Sequence, residues 1–471
     1  MTAIDPLEAP GDSIKRDLGI TISGGGHRAT LFGLGALIYF VDAGANAATT
    51  SIASVSGGSI TNGFVGQTTD FRTVDSTAFE EKAAKPLATQ IAKRGTLFAP
   101  FFTKLYLAFL IAIGIAWLLL VIAELFWLPW PCWLSLVTFI AGLVVLDLIF
   151  GLRGRVCARA FETTLFSPGG KSTPLAAVRK SNLDHVICAS ELRASQQVYF
   201  SGEFIYSYLF GHGIPADVSL ARAVQASASF PGGFPAARVS TKHLEFAGGV
   251  KGPDGPPSPP SQLVMTDGGV YDNMGDQWAR GFDARVKVWP DLGHGRRAPG
   301  RLIVVNASAR FPWTPFTLGK VPVIGEVALL MRVLGVMYIN TTNVRRQDIV
   351  ASYDPSRPDD SAPIQSALVQ ISQSPFDVAN FFAKNGRGPV VERARIVIDM
   401  LGKDNENRWR EIAKENAAVA TSLSAMGAEV TALLMYQAYV VTMCNLYVLF
   451  GDEYPLIESG LDLNRFRRLI S

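Results

Sequence analysis

Histidine is scarce in this chain: five in 471 residues, at positions 27, 185, 212, 243 and 294. None lies close in sequence to the small-residue stretch SIASVSGGSI at 51–60. Cysteine is scarcer still, with four residues (Cys132, Cys157, Cys188 and Cys444) and no C-x-x-C spacing. That excludes a cysteine-based zinc motif and a disulfide framework, and it fits free thiols in a reducing compartment. There is no long Lys/Arg run, and the net charge is only +3. Nucleic acid is therefore not an expected partner. The opening stretch MTAIDPLEAPGDSIKRD is polar and contains proline. It lacks the apolar core of a secretory signal. No metal or other cofactor is expected.

Glycine and apolar residues are plentiful. The chain has 44 glycines, 48% hydrophobic residues and only 18% charged ones. LGITIS (18–23) reads as a short strand ending in Gly24-Gly25-Gly26-His27-Arg28, with a helix after it. SIASV then leads through Ser56-Gly57-Gly58 into a second helix. Strand, glycine turn, helix, repeated, predicts an α/β fold with a buried parallel sheet. HVICAS (185–190), Leu263–Thr266 and LIVVN (302–306) read as further strands, and Val218–Ala228 as a helix. ELRASQQVYFSGE reads as strands or a hairpin. The Pro-rich segment 249–261 reads as an exposed loop. His212, His243 and His294 read as loop positions.

Charge is absent from two long stretches, Leu105–Ala123 and Leu125–Leu146. About 20 apolar residues at about 1.5 Å each cross a hydrocarbon core of about 30 Å. Two spans are expected, at about 105–123 and 133–150, joined by a tight interfacial turn holding Glu124 and several tryptophans. Lys93, Arg94 and Lys104 precede the pair, and Arg153, Arg155 and Arg159 follow it. The positive-inside rule puts both flanks in the cytoplasm. Val323–Ile339 contains Glu326 and Arg332 and reads as a buried or membrane-apposed helix. Val430–Gly451 is uncharged but carries Thr431, Gln437, Thr442 and Asn445, which favours a core helix over a third span.

Three glycine turns each follow an expected strand, so they can converge at one end of a sheet. Ser56 sits where a strand-to-helix elbow exposes a hydroxyl, with Gly57 and Gly58 permitting the bend. Asp267, followed by Gly268 and Gly269, is a carboxylate able to accept the Ser56 proton. Gly24, Gly25 and Gly26 offer free amides at a helix start for an oxyanion, and Arg28 adds positive charge. Asp267 is expected to be desolvated by a closed apolar pocket, so that its pKa rises.

The order GGG-x-R, x-x-S-x-G, D-G-G resembles the patatin-like phospholipases. HVICASEL, ARAVQASASFPGGFPA, MTDGGVYDNMG, LIVVNAS and ATSLSAMGAEVTALLMYQAYVV resemble further segments of that family. The resemblance spans about residues 16–80 and 175–450. It implies a patatin-like three-layer α/β/α fold with a mainly parallel central sheet, interrupted by a two-helix transmembrane hairpin. The expected organisation is a first catalytic part at 14–95, the hairpin at 100–152, and a second catalytic part at 156–471. It implies a Ser–Asp dyad of Ser56 and Asp267 without histidine, with Gly24, Gly25, Gly26 and Arg28 as oxyanion hole. The chain would then be a lipid acyl hydrolase in a bacterial-type inner membrane, its catalytic domain facing the cytoplasm. Its partners would be the bilayer and a phospholipid or other acyl ester. Two positions depart from the pattern: Ser54 stands where the elbow usually opens with Gly, and Ala29 where Gly often follows the Arg. Ser54 and Ser59 offer competing hydroxyls.

Three other readings remain open on the residues. A lipid acyltransferase would share the acyl-enzyme step. A Ser56–Asp267–His294 hydrolase has the right chain order. A membrane-anchored protein could hold an anion at Gly24–Arg28 without catalysis.

Overall fold

Short, apolar, wholly buried segments form strands covered on both faces. β1 (Leu18–Ile22) and β2 (Thr49–Val55) have this character, and each feeds through a glycine turn into a helix, α1 (Gly26–Asp42) and α2 (Gly57–Thr68). The computed structural model describes residues 17–127, 130–250, 258–308, 324–352 and 364–470. The polar start of the chain through residue 16, Leu128-Pro129 of the interfacial turn, residues 251–257 of the Pro-rich loop and Val323 lie outside the described residues.

The remaining strands are β3 (Asp184–Glu191), β4 (Gln196–Phe200), β5 (Ile205–Ser207), β6 (Gly211–Gly213), β7 (Ala237–Ser240), β8 (Gln262–Asp267), β9 (Arg301–Asn306) and β10 (Gln365–Gln370). Their order is β10-β9-β1-β2-β3-β4-β5-β6. The block from β10 to β3 is parallel, and β4 to β6 continue it as an antiparallel meander. The chain is thus a mixed α/β protein whose central sheet is mostly parallel.

Residue parity along the strands sorts the core into two faces. Ile20, Ile22, Ile52, Ile187, Ile303 and Val305 pack on one side with α1 and the helix Ala428–Phe450. Ala53, Val55, Val186 and Cys188 face the other side against Trp278, Phe282 and Trp289. Leu302, Val304 and Leu368 face that side too, against Ile349 of the helix Ile324–Ser352. Helices therefore cover both faces.

Two sequence readings of the sheet need correction. The first concerns β8, expected to end like another parallel strand. It runs antiparallel to β3 instead, with Asp267 opposite Ala189, and carries β7 on its far edge. The reason is that β2 stops at Val55, opposite Cys188, while β3 runs on to Glu191. The last residues of β3 would otherwise keep unpaired backbone groups, and β8 pairs them. The second concerns His212, which lies in β6 rather than a loop and stacks on Trp289 at 4.3 Å between ring centroids.

Three helices are long and apolar enough to cross a membrane. Two form a hairpin, Phe101–Phe126 and Cys132–Gly151. Their apolar windows have mean hydropathy 2.8 and 2.3 with no share buried. Glu124, expected in the connecting turn, lies inside the first helix. Its carboxylate accepts a hydrogen bond from Thr138 of the second helix at 2.8 Å, which lets it stay in the helix. The third, Ala428–Phe450, is mostly buried. It crosses α1 so closely that a Cβ on Gly35 would meet the Met435 carbonyl at 2.2 Å. Its Gln437 donates to the Ile371 and Gln373 carbonyls at 2.7 and 3.0 Å. Helix Ile324–Ser352 leaves Leu329, Leu330, Val333 and Val336 exposed.

Candidate active site

β2 and β8 approach the same edge of β3 from opposite directions and stop one register position apart. Ser56 leaves the end of one and Asp267 ends the other. This head-on meeting joins two residues that lie far apart in the chain. The Ser56 side chain lies close enough to the Asp267 carboxylate to favour its ionised form.

Ser56 has φ 50° and ψ −117°, a left-handed φ that L residues rarely adopt. The strain persists because both sides of the bend are fixed. The Ser56 amide donates to Ser227 Oγ at 2.9 Å, and Ser227 Oγ donates to the Cys188 carbonyl at 2.6 Å. On the helical side, a Cβ on Gly57 would meet the Gly26 carbonyl at 2.0 Å. A Cβ on Gly58 would meet the Ile22 carbonyl at 2.5 Å. The elbow and the triple-glycine turn thus touch backbone to backbone, and a Cβ on Gly24 would lie 3.2 Å from that of Ser56.

The neighbouring hydroxyls are committed elsewhere. Ser54 lies within β2, where regular strand geometry needs no glycine. It donates to the Val186 carbonyl at 3.1 Å and accepts from Ser59 and Asn62 at 3.1 and 2.9 Å. Asn62 in turn is bonded to His185 Nδ1 at 2.8 Å. Ala29 is buried inside α1, so the second departure also falls within regular structure.

Asp267 is buried, and desolvation pushes its pKa up to about 6. The Gly269 amide, donating to Oδ1 at 2.8 Å, and the Ser56 hydroxyl pull it back down. The desolvation comes from packing at the strand junction. The Asp267 and Gly268 amides donate to the Ser229 and Ser227 carbonyls, and Ser190 Oγ donates to the Asp267 carbonyl at 2.9 Å. Gly268 has no room for a side chain, since a Cβ would lie 2.3 Å from the Cys188 carbonyl.

The amides of the glycine turn divide. Gly24 N–H donates to the Asn273 carbonyl at 3.1 Å and His27 N–H to the Ser422 carbonyl at 2.9 Å. Gly25 (φ 146°) and Gly26 (φ 59°) lie between them, and their amides have no acceptor among the described residues. The Arg28 side chain is fully buried and points elsewhere. Its Nε donates to the Ala307 carbonyl at 2.9 Å and its guanidinium to the Val419 carbonyl, while burial lowers its pKa to about 10. It ties the turn to two loops. A cleft of about 740 Å³ has Arg28, Val419 and Thr421 in its wall but neither Ser56 nor Asp267.

The histidines lie apart from the pair. His294 is largely exposed, 3.5 Å from Asp291. His243 pairs with Asp217 at 2.6 Å. His27 and His185 are buried, and burial lowers their pKa to about 4 and about 3. Among the described residues no group of three or more His, Cys, Asp and Glu side chains is placed to hold a metal.

The sequence reading missed Ser227 and Asn273. Both lie inside segments quoted above, ARAVQASASFPGG and MTDGGVYDNMG. Asn273 is held by Asp272, whose carboxylate accepts from the Met274, Gly275 and Gln277 amides at 3.0, 3.1 and 2.9 Å.

No protein-family model and no curated protein matches the chain. Among solved structures it is similar to VipD from Legionella pneumophila, at 12% identity and a TM-score of 0.22. The match covers 97% of this chain and 91% of that one. At that score the likeness carries no argument.

Proposed function

We propose that this chain is a membrane-anchored serine lipid acyl hydrolase of the patatin-like kind. The observation that carries the reading is a strained serine beside a buried carboxylate of raised pKa, brought together by the ends of β2 and β8. A carboxylate with pKa near 6 is a better base than an exposed aspartate and is still ionised at neutral pH.

Ser56 Oγ attacks the ester carbonyl while Asp267 takes its proton. The Gly25 and Gly26 amides hold the developing oxyanion, with Arg28 and the Gly24–Asn273 bond fixing the turn that presents them. Asp267 then delivers the proton to the departing alcohol. Water, deprotonated by Asp267, attacks the acyl-Ser56 ester and releases the fatty acid. The exposed apolar hairpin sits in the bilayer and holds the site at the lipid surface, with the globular body on the cytoplasmic side. That placement raises the local substrate concentration.

The test compares purified wild type, Ser56→Ala and Asp267→Asn for fatty-acid release from mixed phospholipids and for labelling by a fluorophosphonate. Both variants should lose about a thousandfold or more in kcat, as removal of a nucleophile or its base does in comparable sites. Hydrolysis retained in Ser56→Ala overturns the reading. A loss in His294→Ala with Asp267→Asn still active favours the histidine triad.

A further inference from the structure

The second hairpin helix does not stop at the membrane. It runs through Leu152, still in helical conformation, into the helix Arg153–Thr164. At about 1.5 Å per residue, Arg155 lies roughly 6 Å beyond Gly151 and Arg159 roughly 12 Å. That interval is the headgroup layer of a bilayer whose hydrocarbon ends near Gly151. Here the helix packs on the turn before β7, where a Cβ on Gly154 would meet Pro235 at 3.0 Å and Gln225 at 3.7 Å. Arg153 donates to the Gly233 carbonyl at 3.0 Å.

A cleft of about 420 Å³ opens at this foot, between that helix, the helix Leu220–Ser227 and β7. Four arginines line it: Arg155, Arg159, Arg222 and Arg238. Its two carboxylates are already used. Glu162 pairs with Arg159 at 2.5 Å and Asp217 with His243 at 2.6 Å. Arg155, Arg222 and Arg238 have no carboxylate within ion-pair distance among the described residues. Arg222 is aimed by the fold, donating to Gln225 Oε1 at 2.6 Å and to the Arg238 carbonyl at 2.8 Å. Burial, then the like charge of Arg155, lowers its pKa. Three cations without an ion-pair partner line one concave site, and a bound anion would relieve their repulsion.

We propose that this cleft binds the phosphate of an anionic membrane lipid at the foot of the hairpin. Guanidinium forks suit phosphate oxygens, and the location supplies a phosphate at the right depth. The occupant is a lipid rather than a free anion because the helix that lines the cleft continues directly from the hairpin helix, whose last turn exposes Phe150 and is followed by the exposed Leu152. The inference rests on the membrane placement of the hairpin but not on hydrolysis.

The test uses the full chain as Ser56→Ala in nonionic detergent, so that failure of the hydrolase reading and failure of this one are separate results. Calorimetry follows titration with dihexanoyl phosphatidic acid, dihexanoyl phosphatidylcholine and inorganic phosphate. Phosphatidic acid should bind about tenfold or more tighter than either other probe. The added substitutions Arg155→Gln and Arg238→Gln, both at exposed positions, should together weaken it by about tenfold or more. Arg395→Gln, on the exposed face of a distant helix, should not. Equal binding of phosphatidylcholine, or unchanged binding after the double substitution, overturns the site. Displacement of phosphatidic acid by inorganic phosphate at a similar concentration overturns the lipid assignment.

Discussion

Ser56 is singled out from its neighbours by backbone geometry. Three serines lie within six residues, but only Ser56 is held at a left-handed φ beside the Asp267 carboxylate. Ser54 and Ser59 are buried in a network of hydroxyls and one amide. Ser54→Ala and Ser59→Ala should keep hydrolysis within a few fold while costing about 1–2 kcal/mol of stability, read by thermal unfolding. Asp267 makes a second prediction through its raised pKa. As a base it must be ionised, so kcat/KM should climb as pH rises through about 6. The stability sign is opposite. Between the unfolded pKa near 4 and the folded value near 6 the native state binds the extra proton. Stability therefore falls as pH rises across that window, and the deficit persists above it. Asp267→Asn should be inactive and, by up to about 3 kcal/mol, more stable than wild type at pH 7.5. The gain should shrink towards pH 4, and melting curves at both values check it.

At the scale of elements, the site is a junction of two turns and two strand ends. Ser227 bonds the Ser56 amide from a helix remote in sequence. Ser227→Ala should fold, with kcat reduced about tenfold by a looser elbow, a loss of about 1–2 kcal/mol. Gly57→Ala places a methyl against the Gly26 carbonyl and should destabilise by about 1–3 kcal/mol while distorting the oxyanion turn. Activity and melting temperature measured together check both variants. Much of this level was legible in the sequence. Glycine turns after short apolar runs marked β1, β2, α1 and α2, because tight turns and buried strands each demand particular residues. The direction of β8 was not legible: LVMT carries no mark of which neighbour it pairs with. That choice is made by the unpaired end of β3. Ser227 and Asn273 were hidden for a related reason, since the Ser56 and Gly24 amides they hold are brought to them only by the tertiary fold.

On the scale of the whole molecule, the hairpin stands outside the core while the helix Ala428–Phe450 fills it. Both are long and apolar. The amides separate them: Gln437 and Asn445 of the inner helix bond carbonyls of neighbouring segments, which lipid could not offer. The sequence carried that distinction because those polar residues interrupt the apolar run. Glu124 was misread because its partner Thr138 lies on the facing helix. Replacing residues 101–151 by a short flexible linker should leave the α/β body folded, since the apolar windows of the hairpin helices are not buried in that body. That variant should cleave a water-soluble ester at a rate within a few fold of wild type. Its hydrolysis of phospholipid vesicles should drop about a hundredfold as the local concentration effect is lost.

The meeting of β2 and β8 on β3 also sets a timetable for synthesis. The chain emerges at about 5–20 residues per second, amino end first. The elbow serine appears early, the hairpin next, and the aspartate only after roughly a hundred further residues. On the proposed membrane placement, the hairpin meets the bilayer during those seconds, before Ser56 has met Asp267. The pair closes only after β8 has emerged, across a contact of very large sequence separation. On the proposed function, the nascent chain gains its reactive pair only after the hairpin has been made.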